Sequence, residues 1–234
     1  MIDRTKSWLT LDNAAKLYPA IRTENLPMVF RISATLKERV KAEALQTAVD
    51  NIIDRFPYYK VSLRAGFFWY YLEGNSERLM VRPETDDPCH ALPDKDGKGY
   101  MLRVQAYKNR ISVEFFHILT DGTGGLVFLK SLLCEDFRVL GNSVPAGNGI
   151  FSPGETPDPE EFEDAAVRYH TEEVPKPPRL KKAFRLPYPL RAIYRYTCLI
   201  GECSAGEVYK LAKKFGVSVT EYLGGVYLYT LQSI

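Results

Sequence analysis

The spacing of apolar residues changes period several times along the chain, and each change marks an element. Met28 to Leu36 alternates well enough to predict a strand, and Arg31 lies on it. Between residues 40 and 55 the positions Ala44, Leu45, Ala48, Val49, Ile52 and Ile53 fall on one face of a helix, which Arg55-Phe56-Pro57 ends. Tyr58–Leu63 and Phe67–Leu72 read as the strands of a hairpin around Arg64-Ala65-Gly66. Strand residues alternate between two faces, so at most half of the aromatic run Phe67 to Tyr71 could line a channel; core packing is its expected role. Tyr100–Tyr107 and Arg110–Phe116 make a second hairpin across Lys108-Asn109. Leu126, Leu129, Leu132 and Leu133 then recur at helical spacing, and Gly141-Asn142 stops that helix.

The intervening segments carry weaker patterns. Residues 7–22 begin as loop and pass into a short helix capped near Asp12 or Asn13 and limited by Pro19. Residues 74–99 hold few apolar groups and many Asp, Pro, Gly and Lys, which predicts a solvated surface excursion with one short strand near Leu79–Val81. Residues 141–190 hold much of the proline, interrupted by a Glu-rich helix near 159–169. A strand over Tyr194–Cys203 and two capping boxes, Ser204-Ala-Gly-Glu207 and Ser218-Val-Thr-Glu221, open two final helices. The expected organisation is a lobe over 1–140, a Pro-rich crossover or linker over 141–190, and the start of a second lobe over 191–234. The last helix reaches Ile234 without a stop signal, as though cut.

The candidate chemistry sits where the second hairpin ends. Ile111 to Phe116 is β-rich and apolar except for Ser112 and Glu114, and it delivers His117 into the turn Ile118-Leu-Thr-Asp121-Gly122-Thr-Gly-Gly125. Imidazole titrates near neutral pH, so a histidine fixed at a strand end suits a general base. A core histidine beside a turn-forming Asp-Gly pair reads equally well from these residues alone. An arginine on an apolar strand needs a carboxylate unless it snorkels to water. Arg31 is therefore the first choice as partner of Asp121, and Arg22 the second.

The string His117-x-x-x-Asp121-Gly122 resembles the signature of the chloramphenicol acetyltransferase-like superfamily, which includes alcohol acetyltransferases, plant BAHD acyltransferases, polyketide-associated acyltransferases and peptide-synthetase condensation domains. Glu114-Phe-Phe-His-x-Leu-Thr-Asp-Gly-Thr-Gly-Gly125, Asn13-Ala-Ala-Lys-Leu-Tyr-Pro-Ala, Arg55-Phe-Pro57 and Gly66-Phe-Phe-Trp-Tyr-Tyr71 resemble the alcohol-acetyltransferase-like branch. Phe116 stands where many members carry a first histidine; the second is catalytic in the family, so His117 keeps the role. The resemblance implies an α/β fold with a mixed, largely antiparallel sheet flanked by helices, forming about the first half of a two-lobe member. It implies acyl transfer from a CoA thioester, acetyl-CoA first, to an alcohol, with His117 as base and no bound cofactor. Asp121 and Gly122 are then structural, Asp121 pairing with an arginine, and residues 13–20 lie near the mouth of the site. The fragment alone is expected to be inactive. Two alternatives stay open: acyl transfer to an amine from an acyl-carrier protein, and a non-catalytic binding member of the same fold.

Composition removes other classes. A net charge of +2 argues against a partner held by phosphate neutralisation, so no nucleic acid is expected. No apolar run is long enough to span a bilayer and the N-terminus lacks a secretory core, which makes a cytoplasmic protein the default. Cys89, Cys134, Cys198 and Cys203 have no Cys-x-x-Cys spacing and the histidines are scattered, so reduced thiols are expected and no metal site. Lys181, Lys182 and Arg185 could meet the phosphates of coenzyme A, or be a solvated basic linker.

Overall fold

The computed structural model describes residues 8–23, 26–84, 88–93, 99–144, 147, 149–171, 179, 182 and 200–233. In chain order the elements are β1 (Trp8–Thr10), α1 (Leu17–Ile21), β2 (Val29–Thr35), α2 (Ala42–Ile52), β3 (Val61–Ala65), β4 (Tyr70–Gly74), β5 (Val81–Pro83), β6 (Leu102–Tyr107), β7 (Arg110–Phe116), α3 (Gly122–Val139), α4 (Ala165–Arg168), α5 (Ala205–Lys214) and α6 (Val219–Gln232). Short 3-10 turns cover Ile53–Arg55 and Pro159–Phe162. The chain divides into two units, Met1–Arg179 and Leu180–Ile234.

The first unit is α/β. Its four-stranded sheet runs β2-β7-β6-β5, antiparallel except for the parallel β5–β6 pair, so it is mixed and largely antiparallel as expected. A second, three-stranded antiparallel sheet, β1-β4-β3, was not expected. Every residue from Ile111 to Phe116 is fully buried, so β7 is covered on both faces. Ile111, Val113 and Phe115 meet Leu45, Val49 and Ile52 of α2 and Phe128, Leu129 and Leu132 of α3 in one core. Fully burying a large aliphatic side chain stabilises by roughly 1.5–3 kcal/mol, which is why the apolar stripe of α2 settles its orientation. On the opposite face Phe116 joins Leu11, Leu72, Leu92 and Met101 in a second core.

That opposite face also carries charge. Register places Arg31 of β2 and Arg103 of β6 directly across from Glu114 of β7. Arg31 donates to Glu114 Oε1 through Nε at 2.8 Å and Nη2 at 2.6 Å, to Gln105 Oε1 at 3.1 Å, and to Glu84. Residues 88–93, expected as solvated loop, close over this row instead: the Cys89 N–H donates to Glu114 Oε1 at 2.7 Å and Leu92 is buried. Burial lowers the Arg31 pKa, but hydrogen bonds and charge from Glu114, with Glu84, outweigh it and hold the guanidinium above its ordinary value.

Two hairpin details differ from expectation. The β3–β4 turn spans Gly66–Trp69, closed by Gly66 N–H to Trp69 O at 2.7 Å. Phe67, Phe68 and Trp69 therefore stand at the tip, 93%, 84% and 66% exposed, and not in the core. Pro19 lies inside α1, in its first turn, where a missing N–H removes no helical bond. The strand expected over Tyr194–Cys203 and the prolines of 174–178 and 186–189 fall wholly or mostly outside the described residues, and 200–203 form no strand. In the second unit, Ser218 caps α6 with a full capping box and Phe215 stacks on Tyr222 at 5.9 Å.

Asp136, on the buried side of α3, is 1% exposed and its Oδ1 has no hydrogen-bond partner. Burial pushes its carboxyl upward. As pH rises past the ordinary carboxylate range, the unfolded chain ionises while the folded one resists, so this group subtracts stability until the folded carboxyl ionises too. Asp136→Asn should raise the melting temperature, and the gain should be larger at about pH 8 than at about pH 4; thermal melts at both values check it.

Candidate active site

β7 ends at Phe116, and the chain turns immediately. The His117 N–H donates to Met28 O at 2.9 Å, tying the first turn residue to the start of β2. The imidazole lies flat against Tyr18 of α1, with ring centroids 4.5 Å apart and planes 10° from parallel, and Phe30 leans on it at 5.0 Å. It is half-buried, and among the described residues neither ring nitrogen has a hydrogen-bond partner. A strand end, a backbone bond and a stacked ring thus fix the side chain while leaving both nitrogens available for proton transfer.

Among the described residues Asp121 meets no arginine. Its carboxylate caps α3, accepting from Gly124 N–H at 2.9 Å. Arg31, the first-choice partner, is held by Glu114 and Glu84, whose strand and loop lie beside it across the sheet. Arg22, the second choice, donates to Leu92 O at 2.7 Å and lies over the Phe116 ring at 5.3 Å. Among the described residues a helix cap therefore stands where an Asp121–arginine pair was expected, and Arg31 belongs to the sheet's charge row. Asp121→Asn should keep the cap and cost little, whereas Asp121→Ala should cost about 1 kcal/mol. An ion pair would make the two variants alike; chemical denaturation separates these outcomes.

The glycines also differ from expectation. Gly122, Gly124 and Gly125 lie in the first turn of α3, not in a loop before it. Two of them are required by close approach. A Cβ on Gly125 would stand 3.1–3.2 Å from Ile32, Phe115 and Phe30, so glycine seats the helix on the sheet. A Cβ on Gly124 would fall on Thr120 Oγ1 and 3.3 Å from the Tyr59 hydroxyl. Tyr59 is buried and stacked on Phe56 at 5.5 Å, and its hydroxyl and Thr120 Oγ1 both crowd the position of a Gly124 Cβ. Burial pushes its hydroxyl up to about 12, so it stays protonated at working pH. Gly124→Ala should destabilise by about 1–3 kcal/mol and Thr120→Ala added to it should restore part of the loss, read by thermal melts.

Tyr18, Phe30, Tyr59 and Thr120 were not singled out from sequence. Tyr18 lies in the segment 13–20 that the resemblance put near the site, so a signal existed for it. Tyr59 had none, because its contact with Thr120 spans 61 residues of chain. Arg55 of the Arg-Phe-Pro string faces elsewhere: it holds Glu161 through two bonds of 2.8–2.9 Å and lies over Phe151 at 3.8 Å. Lys181 and Arg185 lie outside the described residues, and Lys182 is exposed.

No family model matches the chain, and no curated protein matches it. Solved structures do. The starter condensation domain of rhizomide synthetase RzmA is 11% identical with a TM-score of 0.48, over 60% of this chain and 40% of that one. SgcC5 from Streptomyces globisporus is 15% identical with a TM-score of 0.43, over 60% of this chain and 39% of that one. The complex of the X-domain and OxyB from teicoplanin biosynthesis gives 16% identity and a TM-score of 0.48, over 63% and 36%. The chain thus spans at most two fifths of the length of these structures. Among the described residues no helix is long and apolar enough to cross a membrane.

Proposed function

We propose that this chain is the base-bearing lobe of an acyltransferase of the chloramphenicol acetyltransferase-like type, acting from a CoA thioester, acetyl-CoA first, on an alcohol. His117 takes the proton of the acceptor hydroxyl as its oxygen attacks the thioester carbonyl. The carbon–sulfur bond then breaks, and the departing sulfur takes the proton back from the imidazolium. The observation that carries this reading is the His117 ring itself: held by Met28 and Tyr18, half-buried, with both nitrogens unbonded among the described residues. It opens a His-x-x-x-Asp-Gly turn whose Asp121 and Gly124 brace one another. Holding the reactants in line and stabilising the oxyanion would supply the rest of the rate.

A second reading has an observation in its favour. The resemblance included an Asp121–arginine pair, and among the described residues no such pair forms, which favours a non-catalytic member of the same fold. The test is release of thiol from acetyl-CoA and octanoyl-CoA with a panel of alcohols, against an acyl-carrier-protein thioester with amines. It is run on the full-length gene product and on the 234-residue chain. Alcohol-dependent thiol release from acyl-CoA by the full-length product supports the proposal. Release from the carrier protein alone transfers the reading to condensation, and release from neither donor supports the non-catalytic member. The 234-residue chain by itself is expected to be silent, since the reaction crevice in such enzymes takes walls from both lobes.

A further inference from the structure

The aromatic tip of the β3–β4 hairpin has no role in the His117 site. Phe67, Phe68 and Trp69 expose most of their surface, and contiguous exposed apolar surface of this kind marks interaction sites. Phe68 and Trp69 line a cleft of about 760 Å³. Phe162 and Val167 also line it. The size lies within the range of small-molecule sites, and none of its lining residues belongs to the His117 turn.

The polar groups of the cleft are largely committed. Asp12 Oδ1 accepts from Ala15 N–H at 2.6 Å. Asp164 accepts from Ala166 N–H at 3.0 Å and from Asn13 N–H at 3.0 Å, so both its oxygens hold backbone. Lys16 donates to Asn13 Oδ1 at 2.9 Å. Two carboxylates against one ammonium leave the lining net negative, which disfavours an anionic head group. Apolar walls and spent polar groups then specify the ligand: an apolar body without negative charge.

We propose that this cleft binds a neutral, medium-length apolar molecule, in contact with Phe68, Trp69, Phe162 and Val167. The chain has two tryptophans, so a Trp8→Phe background makes Trp69 the sole reporter. Titration of that protein with 1-decanol, below its solubility limit, should give a saturable blue shift of tryptophan emission. Sodium decanoate should bind about tenfold more weakly, the equivalent of one repelled charge. Val167 is 69% exposed, so Val167→Glu should leave the far-ultraviolet circular dichroism unchanged and abolish the shift. Phe68→Ser, at a still more open position, should do the same. An absent or non-saturable shift overturns the proposal, as does one that survives both substitutions. A shift that follows protein concentration without decanol means a second copy covers the tip, which overturns it too. Equal binding of decanoate overturns the charge argument. Because the readout is fluorescence and not thiol release, its failure is separate from failure of the acyl-transfer proposal.

Discussion

Under the proposed acyl transfer, His117→Ala should lower kcat roughly a hundredfold to ten-thousandfold, the ordinary worth of a positioned general base. KM for the acyl-CoA should change little, because the imidazole is assigned to the acceptor's proton and not to the thioester. The fold should survive. The side chain is half-buried and its main packing contact is the stack on Tyr18, so the loss is about 0.5–1.5 kcal/mol. A thermal melt and steady-state kinetics on the same preparation separate lost chemistry from lost structure. Unchanged kcat with an unchanged melt would sink the base assignment and leave the non-catalytic reading standing.

The largest effect on stability is expected at Glu114. It is fully buried, accepts from Arg31 and from the Cys89 N–H, and its Oε2 lies 3.5 Å from Arg103 Nε. Removing one member of a buried charged set strands the others, at a cost of about 3–5 kcal/mol. Arg31 keeps Glu84 as a second partner, which points to the lower end, about 3 kcal/mol. For a chain of this size Glu114→Ala should then lower the melting temperature by roughly 6–12 °C. Pairing Glu114→Leu with Arg31→Met should recover part of that, since two apolar groups leave fewer stranded charges. If Glu114→Ala melts within about 2 °C of the parent, water reaches the row and the buried-network account is wrong.

The fate of Arg31 shows where reading the sequence stops. That an arginine on an apolar strand would need a carboxylate followed from desolvation alone. Which carboxylate depended on register: Arg31 pairs with Glu114 because β2 and β7 are antiparallel and aligned at those residues, 83 apart in sequence. Glu114 had been visible only as a polar interruption in an otherwise apolar strand. The hairpin tip makes the same point at short range. Moving the turn from 64–66 to 66–69 takes Phe67, Phe68 and Trp69 off the strands and places them in solvent. The apolar pattern was right about a hairpin and wrong about its faces, because a shift of one or two residues reassigns side chains.

Local patterns were enough for α2, α3, the β6–β7 hairpin and the position of His117 at a strand end, since each depends on spacing and capping within a few residues. The motif turn was legible as well, though not the reason for its glycines, which lies in the closeness of Thr120, Tyr59 and the sheet beneath. Only the tertiary structure could decide what meets what: Tyr18 against His117 and Arg31 against Glu114. Those pairings are set by how strands align and where loops close, over separations that no window of sequence spans.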